Sequence, residues 1–200
     1  MIVKTYPLGS LQTNCYIAID EDTNKAAIID PGAQANYLIK EIEALGINID
    51  VILLTHCHFD HDGAVTELKD KYKVDVYLNE AEEEYMNIDT TGIFGKLPKF
   101  YKYFNEGQEI KVGNLTFKTI FTPGHTKGGT CFLVEDNVFT GDTLFNSSIG
   151  RTDFLGGSYN ELINSIETKL MTLDNNVNVY PGHGPKSTII HERMKNPFLV

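Results

Sequence analysis

An α/β protein with two β-sheets packed face to face and helices on their outer sides is the architecture this sequence predicts. Three observations predict it. Strand-like runs come first and helical periodicities afterwards, and that order occurs twice along the chain. The run Val51–Leu54 has four consecutive apolar residues and no polar face, as a strand covered on both sides requires. Finally, 200 residues with 42% hydrophobic and 22% charged side chains are an ordinary globular composition, enough for one domain over 1–200 with a substantial core.

In the first half, apolar β-branched runs occur at IVKTY (2–6), CYIAID (15–20) and AAIID (26–30), the last stopped by Pro31-Gly32. ANYLIKEIEALG then places Leu38, Ile39, Ile42 and Leu45 at helical spacing, with Gly46 as the stop. Asp50 to Leu54 is a strand, 63–72 a helix, VDVYL a strand and NEAEEEYM an acidic helix. The second half has strands at QEIKV, LTFKTIF, TCFLVE and NVFT, and a helix in SYNELINSIETKLMTL with Leu162, Ile166 and Leu170 on one face. NVNVY is the last strand and STIIHERMK a terminal helix. Residues 88–104 fit neither pattern; their five aromatics suit either a hydrophobic loop over a pocket or a plug in the core.

A net charge of −10 argues against a nucleic-acid or anionic-membrane surface, both of which need clustered Lys and Arg. The N-terminal MIVKTYPLGS has no signal-peptide pattern, no apolar stretch approaches membrane-spanning length, and a cytoplasmic setting is expected. Cys15, Cys57 and Cys131 form no CxxC pair. Cys15 and Cys131 read as small buried hydrophobes. Cys57 lies among histidines, but in an extended HCH segment positions 56 and 58 share one face and 57 points away, which favours packing over metal binding.

The histidines are unevenly distributed. THCHFDHDGA (55–64) holds three of the six and follows the strand DVILL. His125 follows LTFKTI in FTPGHTKGG, Asp142 follows NVF in FTGDTLF, and His183 follows NVNVY in YPGHGP. Four strand ends thus carry candidate ligands, where ligands and chemistry gather in α/β proteins. Only His191, in the terminal helix, lies elsewhere. His56 and His58 can face one ion, and a turn at Phe59 re-aims Asp60 and His61 toward a second. His125 can complete one set, His183 the other, and the two oxygens of Asp142 can serve both. Such nitrogen-rich and mixed shells suit zinc, with iron or manganese also accepted. Seven ligands for two divalent ions leave coordination positions open, which points to catalysis rather than a closed structural site. An ion pair lowers the pKa of a water between its members toward about 7 and polarises a carbonyl, so hydrolysis of an activated acyl bond by the resulting hydroxide is the expected reaction. Asp60 is placed to ligate one ion and accept a hydrogen bond from the nucleophile. No GxSxG, P-loop or GxGxxG motif competes.

These motifs resemble those of the metallo-β-lactamase superfamily: THCHFDHDG matches its HxHxDH signature, and TPGHTKGG, GDTLF and PGHG its later ligand motifs in order. The resemblance implies a four-layer αββα sandwich with a dinuclear site at one edge. GDTLFNSSIGRTDFLGG resembles the glyoxalase II-like, or hydroxyacylglutathione hydrolase-like, branch, whose members hydrolyse S-acyl thioesters such as S-lactoylglutathione. Full-length glyoxalase II adds a helical C-terminal extension, and this chain corresponds to a short form without it. In that branch a basic residue after GDTLF contacts the carboxylate of the thiol carrier. Arg151 holds the similar place here, though it can equally pair with Asp153 to brace the loop. The rival the residues allow is a persulfide dioxygenase, similar at GRTDF, with one iron held by His56, His125 and Asp142. A nuclease of the superfamily would need a large inserted domain, and a non-catalytic metal-binding protein would not need open coordination positions.

Overall fold

The computed structural model describes residues 1–199. Strands β1 (Ile2–Leu8), β2 (Thr13–Asp20), β3 (Lys25–Ile29), β4 (Asn48–Leu53), β5 (Asp75–Leu78) and the two-residue β6 (Lys102–Tyr103) lie side by side in that order as the first sheet. β1 to β3 are antiparallel, and β3 to β6 run parallel. Parallel neighbours need crossovers. Here they are α1 (Ala35–Leu45), then the one-turn α2 (Phe59–Asp62) with α3 (Val65–Tyr72), then α4 (Ala81–Ile88). The second sheet has the order β7 (Glu109–Val112), β8 (Leu115–Phe121), β9 (Thr130–Val134), β10 (Asn137–Gly141), β13 (Asn178–Pro181), β14 (Ser187–Thr188). A small hairpin, β11 (Leu144–Phe145) and β12 (Ser148–Ile149), and helix α5 (Tyr159–Ser165) connect β10 to its parallel neighbour β13, and α6 (Ile189–Lys195) follows β14.

Side-chain alternation explains the layering. In β2, Cys15, Ile17 and Ile19 face α1 and α3, while Tyr16 and Ala18 face the second sheet. β4 does the same with Ile52 on one side and Val51 and Leu53 on the other, so its apolar run serves two cores. Phe117, Phe132 and Phe139 meet these residues from the second sheet, and Leu162, Ile166 and Ile189 cover its outer face. Three apolar interfaces between four layers make the αββα sandwich.

Several boundaries differ from the sequence reading. The predicted 63–72 helix begins at Val65, and a separate turn of helix forms inside the histidine segment at Phe59–Asp62. Gly63 has no room for a side chain: a Cβ there would collide with the Gly32 carbonyl, so the break between the two helices is a close backbone approach. Ser187 and Thr188 pair with β13 before the terminal helix starts, with Thr188 Oγ1 capping the His191 amide. The helix from 159 widens into a π-helical turn over Ile166–Leu170. Residues 88–104 do both things considered for them. Phe94 is 1% exposed in the outer core, whereas Ile93 lines the cavity beside the histidines. All three cysteines are free and buried, Cys57 in the core cluster behind the histidine segment. No helix among the described residues is long and apolar enough to cross a membrane.

Candidate metal centre

β3, β4, β8, β10 and β13 end at one edge of the sandwich, and the residues just beyond those ends converge. His56, His58 and His125 form one group of potential ligand atoms, and Asp60, His61 and His183 form another, each with its atoms within 4.8 Å of one another. His58 Nδ1 and His125 Nε2 face each other at 3.0 Å. Asp142 lies between the groups. Its Oδ2 is 3.6 Å from both His125 Nε2 and His183 Nε2, and its Oδ1 is 3.3 Å from His61 Nε2. All seven residues singled out as ligands are therefore brought together, and Gly182 has no side chain because a Cβ would strike both Asp142 Oδ1 and the His61 ring.

Hydrogen bonding settles which ring nitrogens face inward. His125 Nδ1 donates to the Arg151 carbonyl at 2.7 Å, which leaves Nε2 as the lone pair. His61 Nδ1 donates to Asp30 Oδ2 at 2.9 Å. Thr55 Oγ1 gives its only proton to Asp30 Oδ2 at 2.6 Å, so at 3.0 Å from His56 Nδ1 it can only accept. Three imidazoles thus present Nε2 lone pairs, each with its other nitrogen fixed by an outer partner, as metal-ligating histidines require. Asp30, at φ 51° just past β3, is held by the Thr55 amide and orients one residue of each group.

Contacts from β2 fix His183 and Asp60. Asn14 Nδ2 donates to the Pro181 and Gly184 carbonyls at 3.0 and 2.9 Å, and the Tyr16 hydroxyl to Pro181 at 2.6 Å, so β2 of the first sheet clamps the His183 turn of the second. Thr13 Oγ1 donates to Asp60 Oδ2 at 2.6 Å. Sequence reasoning passed over Asp30, Thr55, Thr13 and Asn14. Only their position at strand ends beside the histidine segment could have flagged them.

Electrostatics divides the cluster. Burial, then the neighbouring imidazoles, holds His56 well below the ordinary histidine range, and burial with His125 beside it brings His58 down to about 3. Burial lowers His125 as well. Burial also opposes charge on His61 and His183, but Asp142 and Asp30 outweigh it at His61, and Asp60 and Asp142 at His183, so both are raised. The same pairings overcome burial at Asp142, bringing it down to about 2, and at Asp60, which lies below the usual carboxylate range.

Unpartnered atoms test whether cations fit. His56 Nε2, His61 Nε2 and Asp142 Oδ1 are buried without a hydrogen-bond partner among the described residues, a costly state for polar atoms unless something else binds them. A set of imidazole nitrogens and carboxylate oxygens at this spacing suits borderline divalent ions and needs no thiolate.

A cavity of about 210 Å³ opens over the cluster, walled by Leu11, Phe59, Ile93 and Phe154. Arg151 sits at its rim. Its guanidinium pairs with both oxygens of Asp153 at 2.7 and 2.6 Å and lies 3.8 Å above the Phe154 ring, so it braces the loop whose carbonyl orients His125. His191 lies apart from the cluster, its Nε2 2.9 Å from Ser147 Oγ.

Known proteins share this arrangement of layers. The chain is 38% identical to the hydroxyacylglutathione hydrolase GloC of Haemophilus influenzae, over 100% of this chain and 98% of that one. Among solved structures, the BLEG-1 B3 metallo-β-lactamase superposes with a TM-score of 0.91 at 37% identity, covering 100% of both chains. TTHA1623 in a di-iron-bound form superposes at 0.88 with 33% identity, covering 98% of this chain and 100% of that one. The family model of the metallo-beta-lactamase superfamily matches residues 8–183, a span that holds the whole ligand cluster, and the chain belongs to that superfamily.

Proposed function

We propose that the chain is a metal-dependent hydrolase of S-acyl thioesters, glyoxalase II-like, acting with two divalent ions. The observation that carries the reading is Asp142, whose Oδ2 faces His125 of one group and His183 of the other while its Oδ1 faces His61. His56, His58 and His125 would hold one ion, Asp60, His61 and His183 the second, and Asp142 would serve both. Zinc is the ion this donor set suits first, and iron the second candidate. Such a pair supplies a deprotonated water at neutral pH and a Lewis acid for the acyl oxygen.

The protein's own groups do the rest. Asp30, Thr55 and the Arg151 carbonyl keep inward lone pairs on three imidazoles. Asp60, fixed by Thr13 and facing the cavity, accepts the hydrogen bond of the attacking water and aims it at the acyl carbon. The apolar wall excludes bulk water and takes the uncharged part of the substrate. Arg151, 56% exposed, can receive a carboxylate of the thiol carrier by exchanging it for Asp153. Water adds to the carbonyl, the C–S bond breaks, and an acid and a free thiol leave. The identity to GloC supports the thioester class, and the three unpaired cysteines suit a cytoplasmic setting.

The test is a hydrolysis screen over S-lactoylglutathione, other acyl thioesters and a β-lactam, with metal content measured in parallel. Thioester hydrolysis that chelation abolishes and zinc restores is the expected result. One iron per chain, with oxygen uptake on glutathione persulfide and no hydrolysis, would replace this reading with the dioxygenase. Turnover confined to the β-lactam would overturn the substrate class.

A further inference from the structure

Four glutamates crowd residues 80–84, and one of them, Glu82 on α4, is 0% exposed. Its two oxygens do different work. Oε2 accepts the Cys57 amide at 2.8 Å, between His56 and His58, and Oε1 accepts the Gly128 amide at 2.8 Å, in the loop that carries His125. Those loops extend from β4 of the first sheet and β8 of the second, so one carboxylate spans the two sheets behind the three-histidine group. Gly128 leaves the space for it, since a Cβ there would come within 2.6 Å of Glu82 Cγ. Only a carboxylate can accept at both ends; a glutamine would turn an NH₂ toward one of two amide donors. Among the described residues, the Asp60 and His183 turns are held instead by Thr13 and by Asn14, the latter a separate cross-sheet link on the other side of the cluster.

We propose that Glu82 is a positioning residue that sets the separation of His58 from His125 and thereby tunes metal affinity at the three-histidine group alone. This rests on the two-ion reading of the centre. Partners one shell out from a metal typically change its affinity by about 10–100-fold, and that loss is expected for Glu82→Gln at one site. The fold is expected to persist, because the Thr130 amide still donates to the Thr55 carbonyl between the same loops at 2.9 Å.

The experiment titrates metal-free protein with Co²⁺ and follows its visible absorption, with His125→Ala and His183→Ala assigning each binding step to its group. Glu82→Gln should weaken the step that His125→Ala removes and alter its spectrum, and leave the step that His183→Ala removes unchanged. Hydrogen exchange on the metal-free protein should show the Cys57 or Gly128 amide losing protection. Gly128→Ala, which crowds the carboxylate without removing it, should give the same one-sided loss and serves if the first variant fails to fold. Wild-type affinity at both steps overturns the proposal, and so does an equal loss at both, which would make Glu82 a general determinant of the fold. Wild-type protein that binds no cobalt would instead overturn the two-ion reading itself.

Discussion

The two ligand groups share one edge of the sandwich but are built differently. The three-histidine group is uncharged and deep, with His56, His58 and His125 at 2%, 4% and 3% exposure and all three lowered below the ordinary histidine range. The other group mixes a carboxylate with two imidazoles whose affinity for protons is raised, and its His183 and Asp60 side chains are 29% and 14% exposed. One group presents neutral donors and the other carries its own counter-charge, and both border the cavity, the first through His58 and His125 and the second through Asp60 and His183.

Asp142 is where the difference closes, so the largest effect is expected there. Asp142→Asn replaces one carboxylate oxygen by an NH₂ that cannot ligate. Hydrolysis should fall by more than the roughly 10–100-fold typical of residues that only orient ligands. Metal content should drop below two per chain, as measured by elemental analysis beside kcat/KM. Full activity in this variant would remove the link between the groups.

Asp30 sharpens the comparison next, because it serves both sides through His61 and through Thr55 to His56. Asp30→Asn keeps the shape and removes the charge, and should weaken metal binding by about 10–100-fold. The weaker effect should fall on His56, whose link to Asp30 passes through a hydroxyl. Cobalt titration with the two steps separated would measure the ratio.

How much of this was legible in the sequence follows the same division. All seven candidate ligands were legible because five are imidazoles, rare here and set at strand ends, and the two aspartates lie in the same kind of strand-end turn, facts that a local pattern records. Asp30 was not: an aspartate before Pro31-Gly32 looks like any turn residue until His61 is placed against it across 31 positions. Glu82 was hidden by its neighbours, since the run AEEEYM reads as a solvated helix face and only packing against Cys57 and Gly128 shows one member buried. The layers were legible from the alternation in β2 and the unbroken apolar run of β4. The two-residue strands β6 and β14 were not, because a pair of residues carries no period and depends on the neighbour it meets.

A smaller effect is expected from the clamp on the exposed side. Asn14→Ala removes both side-chain bonds to the His183 turn and leaves the Gly184 carbonyl to find water. The Tyr16 hydroxyl and the Asn14 backbone amide still hold Pro181 and Gly182, so the loss of stability should stay near 1–3 kcal/mol, measurable by denaturant unfolding. The comparison places the accompanying loss of metal affinity on the His183 side, with the three-histidine step unaltered.

The smallest effect expected is a pH dependence outside the ligands. Asp89 accepts the Thr91 hydroxyl at 2.6 Å, the Thr91 amide at 2.9 Å, and the Gly92 and Phe94 amides at 3.0 Å each, and these bonds hold its carboxyl below the usual range. The loop so fixed sets Phe94 against the His58 ring, with centroids 4.7 Å apart, on the three-histidine side only. Because the folded value lies below the unfolded one, near 3.9, the stabilisation is complete above that pH and disappears as acid protonates the folded carboxyl. Asp89→Asn should therefore be less stable than wild type from neutral pH to about pH 5, and the gap should narrow as pH falls through 4 and below. Thermal unfolding of metal-free protein across that range measures it. A gap that widened on acidification would mean that the loop is held by something other than the ionised carboxylate, and the packing of Phe94 on His58 would then have to owe its stability to the apolar wall alone.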